Sequence, residues 1–384
     1  MRALCIVLDS VGCGHAPDAS AFGDDGANTL GHLFERIPGF ALPSLAGLGL
    51  HEVLHDLDPE FPLPSPPLLP GAQFTHLTEQ STGKDTTTGH WELMGAPLEA
   101  ALATFERFPD DLVSALEQAG NCRFIGNEAA SGTEIIQRLG TEHLASGKPI
   151  LYTSADSVLQ IAAHEDPAVF GLERLQALCR TARRILDERE IRIGRVIARP
   201  FVGSSPETFK RTSNRHDYSL APPSTILNRL EAAGVETVGV GKISDIFAQS
   251  GIAESHPTTS NADGMATIER LWREQRSSPH LVFANLVDFD MLYGHRRDPT
   301  GYAQALIEFD RWLGGFLADF HAPDLLLITA DHGNDPHHTG TDHTREQVPL
   351  LTLNAPDDLL TASDFGLVAR ILEDFFTPTA SWTR

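Results

Sequence analysis

Residues 325–334 read LLLITADHGN, a run of five apolar or β-branched residues followed by Ala330, Asp331 and His332. Comparable runs lead to Asp9, through residues 3–8, and to Asp288 and Asp290, through residues 281–287. Near-continuous apolar runs of this kind are typical of a mostly parallel sheet that is buried on both faces. Further runs of the same type occupy residues 150–153, 196–201 and 235–240.

Helical periodicity fills the intervals between these runs, most clearly at residues 172–186 and 302–320. Strands that alternate with helices predict the α/β class, with helices flanking the sheet. The proline-rich residues 57–71 are predicted to be a surface connection, and a last helix is predicted over 365–375 with Ser363 as its N-cap.

The chain of 384 residues is longer than one hydrophobic core usually supports. Charged residues with candidate chemistry gather near its two ends, and few lie in the middle. Residues 1–98 and 224–384 are therefore predicted to form a metal-binding catalytic core, and residues 99–223 an inserted cap domain.

Charge and hydropathy restrict the possible partners. The chain has 29 basic and 52 acidic residues, a net charge of −23, which argues against nucleic acid as a partner. No apolar run approaches the roughly 20 residues that span a bilayer, so no membrane partner is expected. Four cysteines without metal-ligand spacing are expected to be free thiols in a cytoplasmic protein.

Carboxylates at strand ends and histidines downstream of them are the candidate metal ligands. A lone aspartate at a strand end is more often a cap, and a lone histidine is more often a surface or core residue. Several together could hold two divalent cations about 4 Å apart, the spacing that suits phosphoryl transfer. The candidate set is Asp9, Asp290, His295, Asp331, His332 and His343.

The segment 81–92, STGKDTTTGHWE, contains the candidate nucleophile. A hydroxyl at the start of a helix would lie where backbone N–H groups and the helix dipole stabilise a phosphate. In isolation, the segment is better explained as a Ser/Thr-rich helix cap, and a two-metal site beside it is what favours the nucleophile.

These motifs together resemble the alkaline-phosphatase superfamily, and residues 83–92 are similar to the nucleophile motif of its pentose-phosphate mutases. The resemblance covers essentially the whole chain. It extends through residues 9–12, 16–18, 126–127, 130–134, 152–157, 194–201, 214–218, 241–246 and 294–299.

The resemblance implies an alkaline-phosphatase-like core, an inserted α+β cap and two Mn²⁺ ions, although other divalent cations could serve. It implies that Thr86 carries the phosphoryl group and that Asp9, Thr86, Asp331 and His332 surround one metal. Asp290, His295 and His343 would then hold the other metal. Thr87 departs from the family pattern, since a methionine occupies this position in a family member.

By the same resemblance, a pentose monophosphate receives the phosphoryl group, and glucose 1,6-bisphosphate or a pentose 1,5-bisphosphate acts as activator. The candidate anchors for the non-reacting phosphate are Arg195, Arg199, Arg211 and Lys242, and the candidate sugar contacts are Asn127, Ser154 and Asp156. Each basic residue could instead be a surface charge, and Ser154 a turn residue. The expected partners are small pentose phosphates, and the oligomeric state stays open, with a monomer compatible.

Three alternative functions are compatible with parts of this sequence pattern. A cofactor-independent phosphoglycerate mutase would share the metals, but it resembles a pattern with serine as nucleophile. A phosphatase or phosphodiesterase would share the ligands without excluding water. A non-enzymatic metal-binding protein would need neither a positioned hydroxyl nor phosphate anchors.

Overall fold

The computed structural model describes residues 1–154, 157–274, 276–356 and 364–377. Thirteen β-strands lie within these ranges. They are β1 (Arg2–Leu8), β2 (Ala72–Leu77), β3 (Ile125–Ala129), β4 (Ile150–Thr153), β5 (Val158–His164), β6 (Arg195–Val202), β7 (Lys210–Arg211), β8 (His216–Ser219), β9 (Glu236–Val240), β10 (Glu254–His256), β11 (His280–Leu286), β12 (Leu325–Thr329) and β13 (Val348–Leu353).

Twelve α-helices lie between these strands in the same described ranges. They are α1 (Thr29–Arg36), α2 (Pro43–Gly47), α3 (Leu50–Leu57), α4 (Thr86–Leu93), α5 (Asp110–Gly120), α6 (Gly132–Ser146), α7 (Leu172–Glu188), α8 (Ile226–Ala232), α9 (Ile243–Ile246), α10 (Asn261–Arg273), α11 (Pro299–Leu317) and α12 (Leu367–Phe376). A 3₁₀ turn covers Ala19–Phe22, and a π-helical turn covers Phe289–Gly294.

The chain divides into two units, one formed by Met1–Ala100 with Pro222–Arg384 and the other by Ala101–Ala221. The first unit contains a seven-stranded sheet in the order β10-β9-β11-β1-β12-β13-β2. Its first five strands are parallel, β13 is antiparallel to β12, and β2 is antiparallel to β13. The predicted α/β class with a mostly parallel sheet is therefore confirmed.

Three central strands of this sheet bring their carboxyl ends to one edge. In β1, Leu8 pairs with Leu286 of β11, and Val7 pairs with Thr329 of β12. Because β1, β11 and β12 are parallel neighbours in register, the residues that follow each strand meet at this edge. These strands are mostly apolar because both faces are covered, and residues 3–8 are no more than 2% exposed.

The second unit contains a mixed six-stranded sheet in the order β3-β4-β5-β6-β7, with β8 also paired to β6. Apolar residues of α5 and α7 pack on one face of this sheet, and those of α6 pack on the other. Two of the six runs predicted from the sequence, β4 and β6, thus belong to a mixed sheet. Their apolar composition reports burial and does not distinguish parallel from antiparallel pairing.

Three smaller features complete the fold. Between α3 and β2, residues 58–71 form neither helix nor strand, as their prolines predict. The last described helix, α12, covers the predicted position, and Ser363 lies outside the described residues. Within the described ranges, no helix has both the length and the apolar character needed to cross a membrane.

Candidate metal centre and nucleophile

The π-helical turn after β11 presents Asp290 next to two histidines. The Nε2 atom of His295 lies 3.1 Å from Asp290 Oδ2, and that of His343 lies 3.5 Å from Asp290 Oδ1. The two Nε2 atoms are 3.1 Å apart. One ligand atom from each of these three residues falls within 4.8 Å of the others, a spacing that could hold one cation.

A second group shares Asp290 and adds Asp9 and His332, again with ligand atoms within 4.8 Å of one another. His332 Nε2 lies 3.5 Å from Asp9 Oδ1 and 3.4 Å from Asp331 Oδ2. All members of this group are buried. The structure therefore gathers all six candidate ligands around two adjacent positions, and Asp290 reaches both.

The three histidines are held by their other ring nitrogen. Each Nδ1 is placed to donate to a backbone carbonyl oxygen, from His295 to Thr341 at 2.7 Å, from His332 to Gly333 at 3.0 Å and from His343 to Lys84 at 3.0 Å. A proton on Nδ1 leaves Nε2 as a lone-pair donor, which is the usual arrangement for a metal-binding histidine.

The electrostatics of the cluster fit a bound cation. Asp9 Oδ1 is buried and accepts no hydrogen bond from the described part of the chain. Burial, together with the nearby carboxylates of Asp331 and Asp290, raises the pKa of Asp9 well above its ordinary value. Crowded, buried negative charge of this kind is costly unless positive charge is placed beside it. Carboxylate oxygens and imidazole nitrogens without thiolates form a donor set that suits divalent cations.

The other two carboxylates are kept charged by histidines. Burial raises the pKa of Asp290, but the adjacent imidazoles of His295 and His343 outweigh burial, so that its pKa is lowered. For Asp331, His332 and His90 outweigh burial in the same way and lower the pKa. Both groups are thus available as anionic ligands.

Helix α4 begins at Thr86, and its three consecutive threonines have different surroundings. The N-cap, Asp85, accepts hydrogen bonds from the backbone N–H groups of Thr87 and Thr88, and from the Thr88 hydroxyl at 2.5 Å. The Thr86 hydroxyl instead lies 3.2 Å from His332 Nε2. Of the three, Thr86 is the hydroxyl that lies against the metal-ligand cluster.

Three polar residues that were not predicted from the sequence support this cluster. His90 Nδ1 lies 2.8 Å from the Thr86 carbonyl oxygen and 3.1 Å from Asp331 Oδ2. Asn285 donates to Asp9 Oδ2 at 3.0 Å, and Asn334 donates to Asp290 Oδ1 at 2.7 Å. Two signals were available: Asn285 interrupts the apolar strand HLVFANL, and His90 stands one helical turn after Thr86.

Arg345 is a further missed residue, and it links the loop that carries His343 to the loop before Thr86. Its side chain is only 2% exposed. It donates to Asp18 through Nε and Nη2 at 3.0 Å, to Glu79 Oε2 at 2.5 Å and to the carbonyl oxygen of Gly83 at 2.5 Å. Burial lowers the pKa of Arg345, but hydrogen bonds with Asp18 and the charge of Glu79 outweigh it and raise the pKa. We infer that Arg345 positions the segment leading into α4.

Gly89 allows α4 to pass close to the backbone of Asp331. A Cβ at this position would lie 2.0 Å from the Asp331 carbonyl oxygen. Although Gly→Ala usually favours a helix interior by about 1 kcal/mol, Gly89→Ala is expected to destabilise the protein by roughly 1–3 kcal/mol. Any metal-dependent activity should fall as well, because Asp331 must shift. Urea unfolding and initial rates would measure the two effects.

Gly315→Ala is the matched control, because a Cβ at this position in α11 meets no atom within 4 Å. It should leave stability unchanged or raise it by up to about 1 kcal/mol. Equal stability of the Gly89→Ala variant and the native protein would contradict the close packing of α4 on Asp331.

The predicted phosphate anchors are distributed over both units. Arg199 and Arg211 line a common cavity in the second unit. Arg195, on the same strand as Arg199, lies 3.7 Å from Asp217. Lys242 is exposed and follows β9 in the first unit.

The predicted sugar contacts also differ in their surroundings. The Asn127 side chain accepts from the Phe108 N–H at 2.9 Å and donates to the Phe108 carbonyl at 3.0 Å, which favours a structural role. Ser154 is half-buried just after β4. Asp156 lies outside the described residues.

A centre of carboxylates and imidazoles at the edge of an α/β sheet defines a metal-dependent enzyme class. The model of the Metalloenzyme superfamily matches residues 1–369, and the chain belongs to this superfamily. The phosphopentomutase of Syntrophotalea carbinolica is 51% identical over 384 residues, covering 98% of this chain and 94% of the relative. That of Symbiobacterium thermophilum is 51% identical over 358 residues, covering 92% and 88%. The chain is therefore a member of the phosphopentomutase family.

Among solved structures, the PH0037 protein from Pyrococcus horikoshii is similar over 100% of this chain and 98% of its own. Its sequence identity is 13%, and the TM-score is 0.48.

Proposed function

We propose that this protein is a phosphopentomutase, an isomerase that interconverts the 1-phosphate and 5-phosphate of ribose or 2-deoxyribose. The observation that carries the proposal is its 51% identity to a phosphopentomutase over 98% of the chain. Such an activity would connect nucleoside breakdown with pentose phosphate metabolism. The position of the Thr86 hydroxyl, 3.2 Å from His332 Nε2, supports the proposal because a mutase needs a positioned nucleophile.

Thr86 is the proposed phosphoryl carrier, and its neighbours are proposed to hold it in place. Its backbone begins α4, so that the N–H groups and dipole of the first turn favour negative charge there. Asp85 fixes this turn through the amides of Thr87 and Thr88. His90 lies one helical turn after Thr86, and its Nδ1 contacts the Thr86 carbonyl oxygen and Asp331 Oδ2.

Two divalent cations, proposed to be Mn²⁺, would be held by the two ligand groups that share Asp290. When bound, they would neutralise oxygens of the transferring phosphoryl group and favour the ionised Thr86 hydroxyl. The absence of cysteine from the ligand set supports manganese over a thiolate zinc site.

The proposed reaction exchanges one phosphate ester for another. The bond between phosphorus and Thr86 Oγ1 breaks as the free hydroxyl of a pentose monophosphate bonds to phosphorus, and the proton that this hydroxyl loses is balanced by the proton that Thr86 Oγ1 takes up. The resulting 1,5-bisphosphate then returns its other phosphoryl group to Thr86, leaving the isomeric monophosphate. A pentose 1,5-bisphosphate or glucose 1,6-bisphosphate is the proposed activator, because it can load Thr86 initially.

The two domains are proposed to have different roles. Residues 1–98 and 224–384 are the proposed catalytic core, and residues 99–223 are the proposed cap that keeps water from the phosphothreonine. Arg195, Arg199, Arg211 and Lys242 remain the proposed phosphate contacts, and Ser154 and Asp156 the proposed sugar contacts. We place the protein in the cytoplasm, acting on small pentose phosphates.

Phosphorus NMR tests this function directly. The purified protein is incubated with Mn²⁺, a trace of glucose 1,6-bisphosphate and either ribose 5-phosphate or 2-deoxyribose 5-phosphate. The expected result is a pentose 1-phosphate signal without accumulation of free phosphate. Release of phosphate alone would identify a phosphatase, and turnover of phosphoglycerates alone would identify a phosphoglycerate mutase; either outcome would overturn the proposal.

A further inference from the structure

Ser10 follows Asp9 at the end of β1, and its backbone has a conformation that is uncommon for serine. Its φ angle is 72°, which lies in the left-handed region. Residues with a side chain adopt this region at a steric cost, and glycine adopts it freely. Ser10 is also completely buried. A buried residue in such a conformation persists only when its surroundings hold it there.

The backbone of Ser10 contacts residues on two sides of the metal-ligand cluster. Its N–H donates to Asp331 Oδ1 at 3.1 Å, and Oδ2 of the same carboxylate faces His332 Nε2 at 3.4 Å. The Ser10 carbonyl oxygen accepts from the backbone N–H of Asn334 at 3.2 Å. The Asn334 side chain in turn donates to Asp290 Oδ1 at 2.7 Å. The backbone conformation of Ser10 therefore affects the placement of both carboxylates.

The side chain of Ser10 is hydrogen-bonded to α11. Its hydroxyl lies 2.9 Å from the Tyr302 hydroxyl, and both residues are completely buried. Burial raises the pKa of Tyr302 well above its ordinary value, so its hydroxyl stays protonated and the pair keeps a hydrogen bond. The Tyr302 ring also packs on Phe289, the residue before Asp290, with the ring centroids 5.9 Å apart. Tyr302 thus connects the end of β1 with the turn that carries Asp290.

We propose that Ser10 is a positioning residue for the metal centre, kept in its left-handed conformation by the hydrogen bond with Tyr302. Without that bond, the backbone at Ser10 would relax and move its N–H from Asp331 and its carbonyl oxygen from Asn334. Groups behind the metal ligands fix the orientation of the ligands, and their loss lowers metal affinity. This inference rests on the metal-dependent part of the proposed function and not on the identity of the substrate.

Calorimetric titration of the full-length protein with Mn²⁺, after dialysis against a chelator, tests this role. Tyr302→Phe keeps the ring and removes only its hydroxyl, and Ser10→Ala removes the other half of the pair. Ser44→Ala is the matched control. Its hydroxyl also donates to α11, to the carbonyl oxygen of Asp310 at 2.8 Å, about two helical turns beyond Tyr302. Far-ultraviolet circular dichroism and urea unfolding report the fold and the stability of each variant.

Tyr302→Phe and Ser10→Ala should each weaken Mn²⁺ binding by about tenfold or more. Because both changes remove the same hydrogen bond, the double variant should bind Mn²⁺ no more weakly than the more affected single variant. Ser10→Gly should retain more affinity than Ser10→Ala, because glycine adopts the left-handed region without steric cost. Ser44→Ala should bind Mn²⁺ as the native protein does.

Native Mn²⁺ affinity in folded Tyr302→Phe and Ser10→Ala would overturn the proposal, even if urea unfolding showed lower stability, because a purely structural role changes stability alone. An equal loss of affinity in Ser44→Ala would overturn it as well, since any lost contact of α11 would then have the same effect. The titration needs no substrate, so its outcome is independent of whether the NMR test finds mutase activity.

Discussion

Thr86→Ala is expected to reduce mutase activity by a factor on the order of 10⁴ or more, while the fold and the bound metals remain. The physical reason is that Thr86 supplies an oxygen nucleophile, and its side chain is only half-buried at the first turn of α4. Its removal should leave the core intact. The measurements are initial rates with ribose 5-phosphate, far-ultraviolet circular dichroism and elemental analysis.

Thr87→Ala is the control, because it changes the adjacent residue without touching the hydroxyl near His332. It should keep most of the activity, whereas Thr88→Ala should cost stability through loss of the bond to Asp85. Incubation with glucose 1,6-bisphosphate should add the mass of one phosphoryl group to the native protein and to Thr87→Ala. Phosphorylation and turnover of Thr86→Ala would move the nucleophile to Thr87 or Thr88.

The central sheet could be predicted because its strands have the near-continuous apolar sequences that buried strands require. The apolar runs that became β1, β11 and β12 have no polar face, as strands covered on both sides require. Strands β2 and β13 were missed for different reasons. The residues of β2 are mostly half-exposed, so they carry a weak signal.

Strand β13 was not predicted from the sequence because it contains a proline. Pro349 argues against an inner strand because it lacks an N–H group. The structure accommodates it because β13 pairs with β12 only through residues 351–353, so Pro349 lies beyond that pairing. The sequence of β13 does not show where its neighbour β12 ends. Whether a proline is tolerated in β13 therefore depends on tertiary structure, and the strand could not be predicted from its own residues.

The grouping of the candidate metal ligands could be predicted for a topological reason, and the roles of Arg345 and Asn334 could not. Aspartates that follow parallel strands reach the same edge of a sheet wherever those strands occur in the chain. Arg345 offers no such rule, since its partners Glu79 and Asp18 are 266 and 327 residues away. Asn334 likewise gains its role only when the loop after β12 meets Asp290.

Asp290→Ala is expected to abolish activity and to remove both metal ions together. Asp290 is the residue common to the two ligand groups, with Oδ2 facing His295 and Oδ1 facing His343. Its loss takes a negative charge from both positions, and metal affinity depends directly on such ligands. Elemental analysis after dialysis against limiting Mn²⁺, combined with calorimetric titration of the metal, measures the stoichiometry.

Substitution of a ligand that belongs to only one group tests whether the loss of both ions is specific to Asp290. His295→Ala removes a ligand from one group and Asp9→Ala from the other, so each should weaken one metal position and leave the other occupied. Asp319→Asn, an exposed carboxylate at the end of α11, should retain both ions and controls for nonspecific loss of charge. Asp290→Ala that keeps one tightly bound ion would assign Asp290 to a single metal. In that case Asp9 and His332 would hold the second ion with Asp331, whose Oδ2 lies 3.4 Å from His332 Nε2.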